Sequence, residues 1–471
     1  MTLQSDLAFM TITALREDLD TGAVSAHEIL DAALERIRQY ESYTNSFITL
    51  VPEESLRKEA DEADRICKLK ESRLLTGIPI AIKDNMYVQG IRCTGGSRVL
   101  ESFFPETDAP AVERLKKAGG IILGKANLHE FARGATNVNP AFGTTHNPWN
   151  LAHISGGSSG GSAVAVASGY AYCATGTDTG GSIRCPAALC GIVGLKPTYD
   201  KIPRQGVLPL SWSLDHVGPM TRCVEDAKLL TEIMSNKKES KSDKSQSGLN
   251  ENDLNGIRVG MPRKIFHFLD SKVAGQFEKA VDNLREMGCT ITEVSIPHFE
   301  FVRPAVLAIT MAEGTSVHEK WAKEKFHLYS RELQRLIEIG YSIPATHYLR
   351  ALRFRGEFTQ SMKNMFREVD ILALPTVPTV APLIGKEIVE VGGESFPILK
   401  AMSLYLSMFN FTGMPALTLP AGFVDGLPVA LELAADHWNE GLLFRVGKSF
   451  EIVRKYRVEK PPLTSAPQGI M

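Results

Sequence analysis

The sequence lacks the features that mark membrane-spanning, secreted and nucleic-acid-binding proteins. It has no apolar run of 18 residues, and residues 1–19 show neither the basic start nor the apolar stretch of a secretory signal. Its 52 basic residues are offset by 54 acidic ones, so the basic excess of a nucleic-acid binder is missing. The seven cysteines are scattered without zinc-ligand spacing, which favours reduced thiols. We expect a cytoplasmic protein that contacts neither membrane nor nucleic acid directly and holds no metal.

What is present is enough for a large globular core. Of the 471 residues, 44% are hydrophobic and 23% are charged, which is ordinary for soluble domains. An apolar strand-like run at Gly77–Ile82 is followed by a helical pattern at Ala111–Gly120 and another apolar run at Ile121–Leu123. Such alternation predicts an α/β fold: a large, mixed, twisted β-sheet covered by helices on both faces.

The pattern changes along the chain and suggests four regions. Residues 1–76 read as a helical region packed on the core, with a capping box at Ser25–Glu28. Residues 77–231 form the central segment, and residues 346–471 return to the same α/β domain. Between them we predict a variable lobe over 232–345, whose polar stretch near 235–255 reads as a mobile loop. The strand–helix–strand pattern after residue 256 belongs either to the same sheet or to a small lobe beside it.

Two glycine- and serine-rich segments, Gly156–Ser162 and Thr175–Ser182, are unusual in this chain. Glycine allows tight turns and the close approach of main-chain amides. A hydroxyl among exposed amides suits acyl transfer, which needs a nucleophile beside donors for an oxyanion. Lys83 ends the strand-like run, where burial would disfavour its charged form and lower its pKa. A neutral amine there could accept a proton from a serine.

These segments, taken with others, resemble the amidase signature family. The matching stretches are Gly77–Asn85, Gly124–Phe131, Asn147–Trp149, Ser155–Ser162, Gly176–Arg184, Gly191–Thr198 and Ser213–Pro219. The signature core covers about residues 70–230, and similar flanks extend over nearly the whole chain. The resemblance implies the amidase-signature fold and makes 77–231 the signature core.

The resemblance also implies a Ser–Ser–Lys triad. In it, Ser182 is the nucleophile, Ser158 is the bridging serine and Lys83 is the general base. The family has a cis peptide bond before the bridging serine, which here is the bond between Gly157 and Ser158. No metal or organic cofactor is implied.

The residues around the nucleophile receive supporting roles from the same resemblance. Backbone amides of Thr179, Gly180 and Gly181 are expected to form the oxyanion hole. Asp178 and Arg184 are expected to belong to a polar network that fixes the loop, and Ser159 and Ser162 to support that network. Asp84 and Asn85 are expected to hold the turn after Lys83. His129 and His216 lie inside signature segments and could border the pocket. We interpret both as surface or core histidines without a catalytic role.

Other interpretations of the same residues fit less well. Gly156-x-Ser158-x-Gly160 matches the nucleophile elbow of α/β-hydrolases, but the residues before it make a poor strand. A nucleotide-binding loop would need a lysine in the phosphate-binding position, which neither loop has. Within the family, allophanate hydrolases usually have alanine where this chain has Gly180. The glutaminase subunit of tRNA-dependent amidotransferases has an arginine at the position of Arg355, but an aspartate near Ser403.

We therefore predict a serine hydrolase that cleaves carboxylic amide bonds through an acyl-enzyme on Ser182. Carbamates and aryl esters are secondary substrates, because they too pass through a tetrahedral oxyanion. The alternative is the glutaminase subunit of a tRNA-dependent amidotransferase. The expected partner is a small-molecule amide, and the sequence leaves open whether the chain forms a homodimer.

Overall fold

A computed structural model describes residues 6–236, 254–454 and 460–463. The predicted mobile loop near 235–255 therefore lies almost wholly outside the described residues. None of the helices in the described segments is long and apolar enough to cross a membrane.

The described chain contains fourteen α-helices, four short 3-10 helices and thirteen strands. The α-helices are α1 Ile12–Thr21, α2 Ala26–Thr44, α3 Glu53–Lys68, α4 Pro110–Lys117, α5 Gly160–Ala167, α6 Arg184–Cys190, α7 Val224–Met234, α8 Ser271–Glu286, α9 Phe299–Lys325, α10 Arg331–Tyr341, α11 Ala345–Met365, α12 Ile398–Ala401, α13 Ser407–Thr412 and α14 Glu440–Arg454. The 3-10 helices are Arg98–Leu100, Glu130–Ala132, Arg263–Phe268 and Phe326–Leu328. The strands are β1 Phe47–Leu50, β2 Pro79–Lys83, β3 Ile121–Ala126, β4 Cys173–Asp178, β5 Val193–Lys196, β6 His216–Thr221, β7 Arg258–Met261, β8 Thr290–Glu293, β9 Ile371–Pro375, β10 Ile388–Val391, β11 Glu394–Pro397, β12 Ala416–Val424 and β13 Leu427–Ala434.

Eleven of these strands form one sheet in the order β1-β3-β2-β4-β6-β5-β12-β13-β9-β7-β8. Strand β2 runs parallel to both β3 and β4, whereas β6 runs antiparallel to β4 and β5. The sheet is therefore mixed, as predicted. Strands β7 and β8 pair in parallel at its far edge, so the segment after residue 256 joins the same sheet.

Helices cover both faces of this sheet, which confirms the predicted fold class. Along β9, Ile371 and Ala373 pack in a core with α8 and α14, while Leu372 and Leu374 pack in a core with α9, α11 and α13. Successive side chains of a strand point to opposite faces, so the two helix groups lie on opposite sides. The capping box at the start of α2 is present, because Ser25 and Glu28 accept each other's backbone N–H.

The parallel pairing of β2 with β4 is what positions the candidate site. Both strands are buried along their whole length. Strand β2 ends at Lys83 and β4 ends at Asp178, so the carboxyl ends of two neighbouring parallel strands meet at one edge. The helix α5 begins inside the first glycine-rich segment and packs against β4 and β2. Gly161 on it lies so close to the Ser46 carbonyl that any Cβ would collide with it.

Candidate active site

Lys83 is fully buried, with its ammonium nitrogen among hydroxyl groups. Its Nζ lies 2.8 Å from Ser158 Oγ, 2.8 Å from Ser159 Oγ and 2.8 Å from Thr177 Oγ1. Burial lowers the pKa of Lys83 to about 7, although the negative charges of Asp178 and Asp215 act in the opposite direction. About half of the Lys83 side chains are therefore neutral near pH 7 and able to accept a proton.

The two serines bound to Lys83 are adjacent in the chain and sit where α5 begins. Both are fully buried, and the peptide bond between Gly157 and Ser158 is cis. Ser159 donates from Oγ to the Thr177 carbonyl at 3.2 Å, and its backbone N–H donates to the Ser182 carbonyl at 3.2 Å. Ser159 thus joins the glycine-rich segment before α5 to the segment that contains Ser182.

Ser182 follows β4 after a short loop and is only half-buried. Its hydroxyl makes no hydrogen bond with any residue in the described part of the chain, and the residue borders an open cavity. A hydroxyl with this exposure can meet the carbonyl of a molecule that enters the cavity.

Asp178 and Arg184 are fully buried and form the polar network that the resemblance implies. Arg184 donates to both carboxylate oxygens of Asp178 at 3.1 Å, to Glu432 Oε1 at 2.6 Å and to Asn410 Oδ1 at 2.7 Å. Asn410 in turn donates to Asp178 Oδ1 at 2.8 Å. The network ties the end of β4 to β13 and to α13, more than 200 residues away in the chain.

The charges in this network are stabilised by one another. Burial opposes the ionisation of Asp178, but Arg184 and the hydrogen bonds from Asn410 and the Ile183 amide hold the pKa of that carboxyl well below its usual value. Burial also acts against the charge on Arg184, yet Asp178 and Glu432 raise its pKa. Burial raises the pKa of Glu432 to about 7, despite the nearby guanidinium of Arg184.

The three residues expected to supply oxyanion donors are not equivalent. The Gly181 N–H donates to Asp178 Oδ1 at 2.7 Å, so in this structure its hydrogen bond is already used within the loop. Thr179 and Gly180 border the cavity, and the Thr179 hydroxyl donates to Asp215 Oδ1 at 2.6 Å. Gly181 has a φ of 124°, and a Cβ there would collide with Leu406. The close packing with Leu406 holds the loop in place and requires glycine at this position.

The cavity in front of Ser182 is narrow, with a free volume of about 70 Å³. It is lined by the loop residues Gly157 and Thr179–Ser182, and by residues from elsewhere in the chain. The latter are Ala132, Arg133, Gly134, Ala135, Cys185, Leu210, Arg303, Val306, Leu307, Thr310, Leu399, Met402, Ser403 and Ser407. Most of these groups are apolar or small, and the two charged ones are both arginines.

The remaining sequence candidates lie around the site rather than in it. His129 hydrogen-bonds through Nε2 with Glu332 at 3.1 Å. His216 contacts the Leu214 carbonyl at 2.7 Å, and burial lowers its pKa well below the usual value. Asp84 forms a buried ion pair with Lys125 at 3.0 Å. Asn85 donates to Thr177 Oγ1 at 3.1 Å, which links the turn after Lys83 to the lysine's own hydroxyl partner.

The two positions that were compared above with the glutaminase subunit, Arg355 and Ser403, both form hydrogen bonds to nearby main-chain carbonyls. Arg355 donates from Nε to the Phe411 carbonyl at 2.6 Å, and Ser403 donates to the Leu399 carbonyl at 2.7 Å. Ser403 lines the cavity in front of Ser182, whereas Arg355 is not one of its lining residues. Ser162, expected to support the network, donates to the Thr175 carbonyl at 2.9 Å and so joins α5 to β4.

Sequence reasoning missed several residues of the site. Thr177 lies in a signature segment and could have been found, because it is next to Asp178 on the strand beside Lys83. Glu432, Arg133 and Arg303 come from distant elements, and no spacing in the sequence connects them with Ser182.

Comparison with known proteins agrees with this fold and these segments. The model of the Amidase family matches residues 28–444. The chain belongs to the amidase family.

Its relatives include both amidotransferase subunits and amidases. It is 37% identical to the A subunit of glutamyl-tRNA(Gln) amidotransferase from Methylococcus capsulatus, over 96% of this chain and 98% of that protein. The corresponding protein of Carboxydothermus hydrogenoformans is 35% identical, over 97% and 100% of the two chains. Among solved structures, one described as an amidase aligns with a TM-score of 0.88 and 33% identity, covering 94% of this chain and all of the other. The A subunit of glutamyl-tRNA(Gln) amidotransferase from Thermotoga maritima aligns with a TM-score of 0.78 and 31% identity, covering 96% of each.

Proposed function

We propose that this chain cleaves a carboxylic amide bond through an acyl-enzyme on Ser182. The observation that carries the proposal is the buried Nζ of Lys83, 2.8 Å from Ser158 Oγ, in a site whose Ser159 N–H donates to the carbonyl of the half-exposed Ser182. A serine hydroxyl does not ionise at neutral pH, so it needs a base in hydrogen-bond reach when it attacks.

In the proposed reaction, Ser182 Oγ attacks the amide carbonyl carbon. Its proton passes to Ser158 Oγ while the Ser158 proton passes to Lys83 Nζ, since a hydroxyl can donate and accept together. The tetrahedral intermediate then collapses, the C–N bond breaks, and the departing amine takes a proton back through Ser158. Water repeats the sequence on the acyl-enzyme and releases the carboxylic acid.

The oxyanion of the tetrahedral intermediate would be bound by the amides of Thr179 and Gly180. The Gly181 amide would instead keep the loop in shape through its bond to Asp178. Each donor to an oxyanion is worth on the order of 3 kcal/mol of transition-state stabilisation. Because the donors belong to the main chain, the loop geometry held by Asp178 and Arg184 would decide their effect.

The second candidate is the glutaminase subunit of a tRNA-dependent amidotransferase. The curated relatives favour it over a stand-alone hydrolase, because those at 35% and 37% identity over nearly full length are A subunits of that enzyme. In that case the amide substrate is glutamine, and ammonia is the product that the amidotransferase uses. Partner subunits are then needed. The first candidate is favoured because Arg355 does not line the Ser182 cavity, and because Ser403, which does, carries a hydroxyl and not a carboxylate.

Measuring the release of ammonia and amines distinguishes the two candidate functions. The purified chain would be given simple amides, carbamates, aryl esters and glutamine, with and without the partner subunits of a tRNA-dependent amidotransferase. Hydrolysis of non-glutamine amides by the chain alone supports the stand-alone enzyme. Ammonia from glutamine only when partners are present supports the amidotransferase role. Turnover that persists in Ser182→Ala refutes the mechanism common to both.

A further inference from the structure

Two arginines line the same cavity as Ser182. Arg133 follows the 3-10 helix Glu130–Ala132, and Arg303 lies in the second turn of α9, far away in the chain. Both are half-buried. A guanidinium stays protonated at physiological pH even when partly buried, so the cavity holds two positive charges.

Neither arginine has a carboxylate bound directly to its guanidinium group. Among the described residues, no acidic side chain forms an ion pair with Arg133 or Arg303, and the Nε of each is buried without a hydrogen-bond acceptor. Glu332 is close enough to Arg133 to act on its charge, but that carboxylate hydrogen-bonds with His129. Burial lowers the pKa of Arg303, and the charge of Arg133 lowers it further. An anion that reached both guanidinium groups would relieve the repulsion between them.

The rest of the cavity wall offers no negatively charged side chain to a cation. The lining residues, all of them within the described segments, include no aspartate or glutamate. An ammonium group in this cavity would meet two guanidinium groups and no counter-charge. A free amino acid such as glutamine brings an ammonium together with its carboxylate, whereas an amide with only a carboxylate does not.

We propose, on the basis of the function proposed above, that the amide substrate carries a carboxylate bound by Arg133 and Arg303, and carries no ammonium group. The two arginines are specificity-determining residues of the Ser182 cavity. They bind a part of the substrate that does not react, and the chemistry stays with Ser182, Ser158 and Lys83.

Three amides of matched shape test whether the substrate needs a carboxylate and excludes an ammonium group. Glutaramate carries a carboxylate, 5-methylhexanamide replaces that carboxylate by an isopropyl group, and glutamine adds an ammonium to glutaramate. Malonamate and succinamate extend the series to shorter chains. We expect kcat/KM for the best monoamide to exceed that of 5-methylhexanamide and of glutamine at least tenfold. Equal values for the charged and neutral amides, or a preference for glutamine, would overturn the proposal.

Substitutions test whether the preference for a carboxylate-bearing amide depends on Arg133 and Arg303. Arg133→Met and Arg303→Met should each raise KM for the carboxylate-bearing amide by about tenfold to a hundredfold, since each removes a charged hydrogen-bond donor. The ratio of kcat/KM for the carboxylate-bearing amide to kcat/KM for 5-methylhexanamide should therefore fall in both variants. Arg353→Met is the matched control, because the Arg353 side chain is 84% exposed and lies on α11. Equal losses on charged and neutral amides would mean that the arginines serve the fold rather than the substrate.

Binding to Ser182→Ala distinguishes this proposal from the proposed function. Calorimetry with glutaramate and with glutarate should show binding that weakens at least tenfold when Arg133→Met is added. If Ser182→Ala still hydrolyses amides, the proposed function is wrong. If Ser182→Ala is inactive but binds neither anion, the proposal of an anionic substrate is wrong and the proposed function stands. The same holds if it binds both anions whether or not Arg133 and Arg303 are present.

Discussion

If Lys83 is the general base, the activity must follow its deprotonation. With a pKa of about 7, half of the side chains are neutral at pH 7 and about 1% at pH 5. An exposed lysine with the ordinary pKa of 10.5 would be neutral in roughly one molecule in 3,000 at pH 7. Burial therefore raises the population of the active form on the order of a thousandfold at neutral pH.

The assay is kcat/KM between pH 5.5 and 9.5, on an amide that carries no group titrating in this range. We expect kcat/KM to fall tenfold per pH unit on the acidic side, to bend near pH 7 and to level off above it. In Lys83→Ala the rate should fall by several orders of magnitude and lose this bend, while the protein stays folded.

Of the two buried carboxyls that act on Lys83, Asp215 would give a similar acidic limb and needs a control. Burial raises the pKa of Asp215 to about 6, and Asp215 also raises the pKa of Lys83. In Asp215→Asn the bend should persist and move to lower pH, because the negative charge that favours the protonated lysine is gone. A bend that disappears in Asp215→Asn, a flat profile in the wild type, or full activity in Lys83→Ala would each refute the assignment of Lys83 as base.

Three further predictions concern the loop and its network. Ser182→Ala should lower turnover on the order of 10⁴-fold or more without changing the melting temperature, and mass spectrometry should detect a trapped acyl group only on the wild type. Arg184→Met should lower the free energy of unfolding by about 3–5 kcal/mol in urea titrations, because it leaves buried carboxylates unpaired; a loss below about 1 kcal/mol would contradict the network. Gly181→Ala should lower the melting temperature by several degrees, since its Cβ collides with Leu406, whereas Gly180→Ala has open space and should melt like the wild type.

The strand that ends at Lys83 and the turn that contains Ser158 could be predicted because local patterns carry them. The apolar run before Lys83 predicts a buried strand, and the glycine-rich segment around Ser158 predicts a tight turn before a helix. The resemblance adds which of the serines belongs with the lysine. The distance of 2.8 Å between Nζ and Oγ agrees with this pairing, although the roles of the residues stay a prediction.

The cavity wall could not be predicted, because it depends on the arrangement of distant elements. Arg303 reaches the site from α9, and Glu432 reaches Arg184 from β13 across 248 residues. Neither residue stands in a pattern that differs from an ordinary surface or strand position. The use of the Gly181 amide by Asp178 is equally hidden, since it depends on a loop conformation and not on residue type.

The fully buried basic residues Arg184 and Lys83 differ in the direction of their pKa shifts because their partners differ. Arg184 contacts the carboxylates of Asp178 and Glu432, which offset the loss of water and keep it charged. The hydrogen-bond partners of Lys83 among the described residues are hydroxyl and carbonyl oxygens, so burial dominates and favours the neutral amine. Asp178 is near enough to act on Lys83, but its carboxylate is already engaged by Arg184, Asn410 and main-chain amides. Because this charge is paired, the Arg184 network favours the neutral form of Lys83 that the proposed mechanism requires.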